Sequence, residues 1–176
     1  MINFNILLIN YSTFQHTFVS TNIVDTMKVE EILKTKANLS LPKKVLINLQ
    51  LTSAQSGSEM MCTLKSFGIS VQQFNVLRIL RGQGKKPANL STIQDRMVNK
   101  MSNTTRLVDK LIDKKLVDRC VCEENRRKVE IVITEQGLDL LKEIDPKVEE
   151  LEEKATKNLT EKELEQLNYL LEKLRS

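Results

Sequence analysis

Five consecutive side chains, Ser102, Asn103, Thr104, Thr105 and Arg106, all donate or accept hydrogen bonds, and none has an apolar body that demands burial. Lys110 follows one helical turn after Arg106. Further along, Asn125, Arg126, Arg127 and Lys128 set three adjacent cations in one short polar stretch. The chemistry these residues offer is recognition rather than bond making. An Arg fork matches the guanine edge in a DNA major groove, an Asn amide matches adenine, and an Arg also fits the electronegative minor groove. Ser91 and Thr92 open an earlier short helix, where hydroxyls serve as phosphate contacts. Each feature has a plainer alternative, a capped helix with a polar outer face or a turn kept soluble by charge. A polar helix start followed closely by a basic turn is harder to dismiss than either alone.

Catalysis finds no support. The only histidine is His16, there is no Gly-rich phosphate loop, and no carboxylate pair stands apart from solvated helix faces. Glu149-Glu150 and Glu152-Glu153 read as exposed helix surface. No cofactor or metal is implied. Cys120 and Cys122 lie two apart on a strand, about 7 Å from each other and too far for an easy disulfide, and zinc needs more ligands. The default for these thiols is packing as small hydrophobes. Cys62 has only Lys65 nearby to lower its pKa, although a redox role stays open. An odd cysteine count without a secretory segment points to a reducing cytoplasm. No apolar run approaches the roughly 20 residues of a membrane span.

The elements that must position the polar residues follow from apolar spacing and caps. Residues 41–66 carry Val45, Leu49, Met60 and Leu64 at helical spacing, weakened by Ser56-Gly57-Ser58, and Phe67-Gly68 closes the segment with a left-handed glycine. Ser70 and Gln73 form a capping box for a second helix that buries Val71, Phe74, Leu77 and Ile79-Leu80. Arg81-Gly82-Gln83-Gly84 stops it, and a loop follows through Lys85-Lys86-Pro87. Ser91 and Gln94 repeat the capping logic for a short helix with Leu90, Ile93 and Met97 inward. After a break at Val98-Asn99-Lys100, Ser102 starts a helix reaching about Lys114. Its inner face is Leu107, Val108, Leu111 and Ile112, and its outer face includes Thr104 and Thr105.

Two period-2 segments, Leu116–Cys122 and Lys128–Thr134, form a hairpin with the Arg126-Arg127 turn at its tip. Thr134 caps a long helix with Leu138, Leu141, Ile144, Val148, Leu151 and Ala155 on one stripe, which Pro146 is expected to kink or restart. Thr160 and Glu163 box the start of a last helix with Leu164, Leu167, Leu171 and Leu174 aligned. Such a stripe is too apolar for a free helix in water, so pairing with a second copy is favoured over packing back on the same chain.

Charge is segregated along this frame. Residues 78–130 hold 14 Lys and Arg against 7 Asp and Glu, whereas residues 135–176 hold 7 against 12. A basic centre beside an acidic end suggests that only the centre meets a polyanion. The first 26 residues carry no charge before Asp25 and lack the features of a signal peptide. They are expected to extend outside the fold, with Met27 a candidate natural start.

A short helix, a tight break, an amphipathic helix and a β-hairpin make a winged helix-turn-helix, and here a resemblance enters. Phe67-Gly68-Ile69-Ser70-Val71-Gln72-Gln73-Phe74-Asn75-Val76-Leu77, Asn103-Thr104-Thr105-Arg106-Leu107-Val108-Asp109-Lys110-Leu111, Leu116-Val117-Asp118-Arg119 and Val129-Glu130-Ile131-Val132-Ile133-Thr134-Glu135-Gln136-Gly137 resemble the MarR family of transcription regulators. The match covers about Pro42 to Leu174. It implies a mainly α fold with a small β-hairpin wing. Residues 70–134 would form the winged helix-turn-helix, 41–69 and 135–176 the dimerisation helices, and 1–40 an N-terminal extension. It further implies a homodimer that binds double-stranded DNA, represses transcription and responds to a small anionic or phenolic ligand. A winged-helix adaptor for protein partners is the alternative. Two departures stand out: Asn125 replaces the family's usual Asp two residues before the wing-tip arginine, and Lys115 replaces a favoured Gly. Lys115 must strain in a left-handed conformation or end its helix differently.

Overall fold

Side-chain caps fix where most helices begin. The computed structural model describes residues 28–84, 86–121 and 129–176, and these divide into two compact units that meet in sequence between Leu49 and Gln50. In the first, α1 is a single turn, Val29–Ile32, with Lys44 paired to Glu30 at 2.5 Å. Its neighbour Lys44 holds the Glu30 carboxyl below the usual carboxylate range. This turn lies within the stretch expected to extend outside the fold.

Helix α2 spans Leu41–Ser66 without interruption, so Ser56-Gly57-Ser58 does not break it. Of the four apolar residues at helical spacing, Val45 and Leu49 are exposed, Met60 is half-buried and Leu64 is fully buried. Its end is a Schellman motif: Ile69 N–H donates to Leu64 O, Gly68 N–H to Lys65 O, and Gly68 takes φ +72°. Helix α3, Val71–Gly82, starts on the expected box, with Gln73 N–H donating to Ser70 Oγ and Ser70 N–H to Gln73 Oε1.

Strand β1 (Ala88–Asn89) precedes α4 (Leu90–Arg96), which leads to α5 (Thr104–Asp113), β2 (Val117–Val121) and β3 (Val129–Ile133). The sheet is antiparallel in the order β1-β3-β2, with Ala88 opposite Ile131 and Val117 opposite Ile133. The segment holding β1 read as loop because two residues after Pro87 carry no period-2 signal; pairing with β3 makes it a strand. Helices α6 (Glu135–Thr156) and α7 (Glu161–Arg175) complete the chain. Thr134 caps α6 by accepting from Gly137 N–H. Helix α6 does not restart at Pro146: it continues, with Ile144 and Val148 buried on either side and Asp145 clasped by Arg81. Core packing on both flanks and a two-point ion pair outweigh one missing hydrogen bond.

The core gathers Leu64, Phe74, Leu77, Leu80, Ile93, Val108, Leu111, Ile131, Leu141 and Ile144 with Ala88 of β1 and Val117 of β2, so every element from α2 to α6 contributes. Gly137 is where α6 meets the start of the wing. A Cβ there would stand 2.3 Å from the Leu116 carbonyl oxygen and 2.8 Å from Ile133 Cγ1. Helix α7 buries nothing: Leu167, Leu170 and Leu174 are exposed, while Leu164 and Leu171 are half-covered. Thr160 N–H and hydroxyl both donate to Glu163 Oε2, at 2.8 and 2.7 Å. Those bonds hold the Glu163 carboxyl below the usual carboxylate range.

Candidate nucleic-acid interface

The helix expected to read bases is α5, and its start differs from expectation in a useful way. Asn103, not Ser102, is the N-cap: its Oδ1 accepts from Arg106 N–H at 3.1 Å. Ser102 sits in the preceding turn, half-exposed. The cap engages the oxygen that a two-point contact with adenine needs, leaving the Asn103 amide N–H groups to donate.

Thr104 is corrected outright. It is 5% exposed, not part of the outer face, and its hydroxyl donates to Gln94 Oε1. Gln94 Nε2 also donates to Lys100 O, and Val98 N–H donates to Asn75 Oδ1 at 3.0 Å. These bonds brace the turn from Met97 to Asn103, which is longer than the expected break at 98–100. Asn75 and Gln94 are positioning residues that sequence reasoning passed over. By spacing Gln94 reads as a capping-box partner of Ser91, and Asn75 enters the sequence reading only within the family-like segment Phe67–Leu77.

What remains outward is Asn103, Thr105, Arg106 and Lys110, with Asp113 at the far end of α5. Arg106 and Lys110 enter no ion pair among the described residues. Of the two carboxylates on this helix, Asp109 is drawn to Arg119 of β2, while Asp113 stands exposed at the C-terminal end, about one turn beyond Lys110. That ion pair ties α5 to the wing and stops Asp109 from cancelling the positive edge. Free backbone N–H groups at the α5 start add partial positive charge.

The other short helix also shifts its cap. Asn89, at the end of β1, accepts from Thr92 N–H at 2.8 Å, and Ser91 Oγ donates to the same Asn89 Oδ1 at 2.7 Å. The expected Ser91–Gln94 box does not form, because strand pairing places Asn89 at the helix mouth and Gln94 serves the turn. Ser91 is exposed and Thr92 half-exposed. The wing residues Asn125, Arg126, Arg127 and Lys128, with Cys122, lie outside the described residues. Cys120 on β2 is half-buried, and Cys62 on α2 is exposed. Among the described residues no His, Cys, Asp or Glu cluster could hold a metal ion, and no helix is long and apolar enough to cross a membrane.

Comparison with known proteins gives three findings. A family model described as the MarR family matches residues 69–129, from the turn after α2 into β3. The chain is 31% identical over 109 residues to the HTH-type transcriptional repressor IacR of Pseudomonas putida, covering 62% of this chain and 64% of that protein. It therefore spans less than two thirds of that relative's length. Among solved structures, a MarR transcription factor from Planctomyces limnophilus is 33% identical with a TM-score of 0.61, covering 77% of this chain and 98% of that one. The S. aureus MepR–DNA complex shares the fold at 21% identity, with a TM-score of 0.68 and coverage of 78% and 97%.

Proposed function

Since the chain belongs to the MarR family, we propose that it is a homodimeric, sequence-specific regulator that binds double-stranded DNA and represses transcription. The observation that carries this reading is the braced helix start. Asn103, Thr105 and Arg106 are exposed at the mouth of α5 with Lys110 one turn on, and the acid that lies between Arg106 and Lys110 in sequence, Asp109, is engaged by Arg119. A helix end of that kind fits a major groove, where first-turn side chains reach base edges and backbone N–H groups meet phosphate.

In this reading Arg106 reads a base, Lys110, Ser91 and Thr92 contact the sugar-phosphate backbone, and Ser102 and Asn103 flank the helix mouth. Thr104 supports the turn from inside. Arg126, Arg127 and Lys128 of the wing, with Asn125, reach the neighbouring minor groove. The exposed leucines of α7 pair the two copies. The relatives named above are transcription regulators, and a non-enzymatic role in the cytoplasm accords with them. A small anionic or phenolic effector belongs to the same proposal. The apolar groove between α2 and α6, at Met60, Leu151 and Ala155, is a poor seat for an anion because Glu59 and Glu152 line it.

Direct titration of a duplex tests the assignment. Arg106→Ala should weaken binding by about 1–3 kcal/mol and relax preference at one base position. Arg127→Ala should weaken binding to all sequences alike and lower the salt slope by about 1. Unchanged curves for both variants would contradict the assignment, and binding of a protein partner without any DNA retention would favour the adaptor.

A further inference from the structure

Two large apolar side chains stand almost fully in solvent next to α5. Val98 is 89% and Met101 is 92% exposed, well beyond Leu41 at 73%. Both belong to the turn from Met97 to Asn103, and the turn is not loose. Val98 N–H is held by Asn75, Met101 N–H donates to Asn99 Oδ1 at 2.9 Å, and Ser102 N–H donates to Asn99 O at 3.2 Å. Gln94 holds the Lys100 carbonyl, and the Lys100 ammonium folds back onto the Asp95 carbonyl. A braced backbone thus displays an apolar ridge in a turn where solvent alone would favour polar residues.

The ridge cannot be far from the reading surface. Met101 precedes the Asn103 cap by two residues, so their Cα atoms are at most about 7.6 Å apart. Close to it in sequence stand the exposed cations Arg96, Lys100 and Arg106 against one exposed acid, Asp95. An apolar ridge in a stretch of net positive charge suits a partner that is anionic overall yet carries apolar groups at its surface. The DNA major groove meets that description, because each thymine presents a C5 methyl among its polar edges.

We propose that Val98 and Met101 read thymine methyl groups beside the bases met by α5, which makes the turn a second specificity element. The proposal rests on the duplex-DNA reading above. The test uses a duplex selected by the full-length protein from a random library, with thymines replaced one at a time by deoxyuridine. At one or more positions the unaltered protein should lose affinity by about fourfold, the worth of one buried methyl. Met101→Ala or Val98→Ala should bind the thymine duplex correspondingly less well and lose nothing more when that methyl is removed. Both side chains are exposed, so unchanged melting temperatures verify that the variants fold.

A deoxyuridine loss that persists undiminished in both variants overturns the proposal. So does the absence of any such loss in a protein that still binds the selected duplex with steep salt dependence, and there the DNA reading survives. Variants that keep full DNA affinity but lose self-association would assign the ridge to a second copy and also overturn it. Failure to retain any duplex at low salt removes both readings together.

Discussion

Lys115 turns the chain from α5 into β2 with φ +60°, a conformation that costs an L-residue roughly 1–2 kcal/mol in helical stretches. The hydrogen bonds around it match those at Gly68: Leu116 N–H donates to Leu111 O, and Lys115 N–H to Ile112 O. The same Schellman turn is therefore built once with glycine and once with lysine, and the lysine version is strained. Lys115→Gly should raise unfolding stability by about 0.5–1 kcal/mol, since relief of strain outweighs the added freedom of the unfolded chain. Urea denaturation checks this, and a fall in the midpoint would show that Lys115 contributes something the strain argument omits. Both possible outcomes for Lys115 were visible in the sequence; choosing between them required the backbone. Thr104 shows the opposite limit. Its type fits an exposed recognition face, and only the position of Gln94, ten residues earlier, makes it an inward residue.

Among the elements, helices whose caps and stripes agree were legible from residue types. Ser70 with Gln73, Thr134, and Thr160 with Glu163 all cap as their spacing indicates. Where two suitable side chains compete, as at Asn89 and Ser91 or Asn103 and Ser102, tertiary contacts decide. Strand pairing presents Asn89, and the braced turn presents Asn103. Continuity of α6 across Pro146 is likewise a tertiary result. The wing tip lies outside the described residues, so that part of the site rests on sequence. Helix α7 was legible as an apolar stripe, and its leucines lie exposed on the chain alone. Leu167→Glu combined with Leu174→Glu should weaken dimerisation by at least about 100-fold while each protomer stays folded, since each leucine loses roughly 1.5–3 kcal/mol of burial. Sedimentation equilibrium distinguishes the outcomes. An unchanged dimer would mean that these leucines lie outside the interface.

Across the whole molecule, the charge pattern and the fold point the same way. Among the described residues, the cations of residues 78–130 fall mostly on α3, α4, the turn, α5 and β2, while the acidic excess of residues 135–176 falls on α6 and α7. On the proposed reading, a protein so divided would approach DNA by one region and keep the other away from it, and its affinity should fall steeply with salt. Two copies related by a two-fold axis would set their α5 helices into successive major grooves, about one helical turn apart. The most direct measurement is selection of bound sites from a random duplex library, read by sequencing. A two-fold consensus whose half-sites are centred about 10 base pairs apart is the predicted result. Enrichment of no sequence at all, from protein that is folded and dimeric, would contradict it.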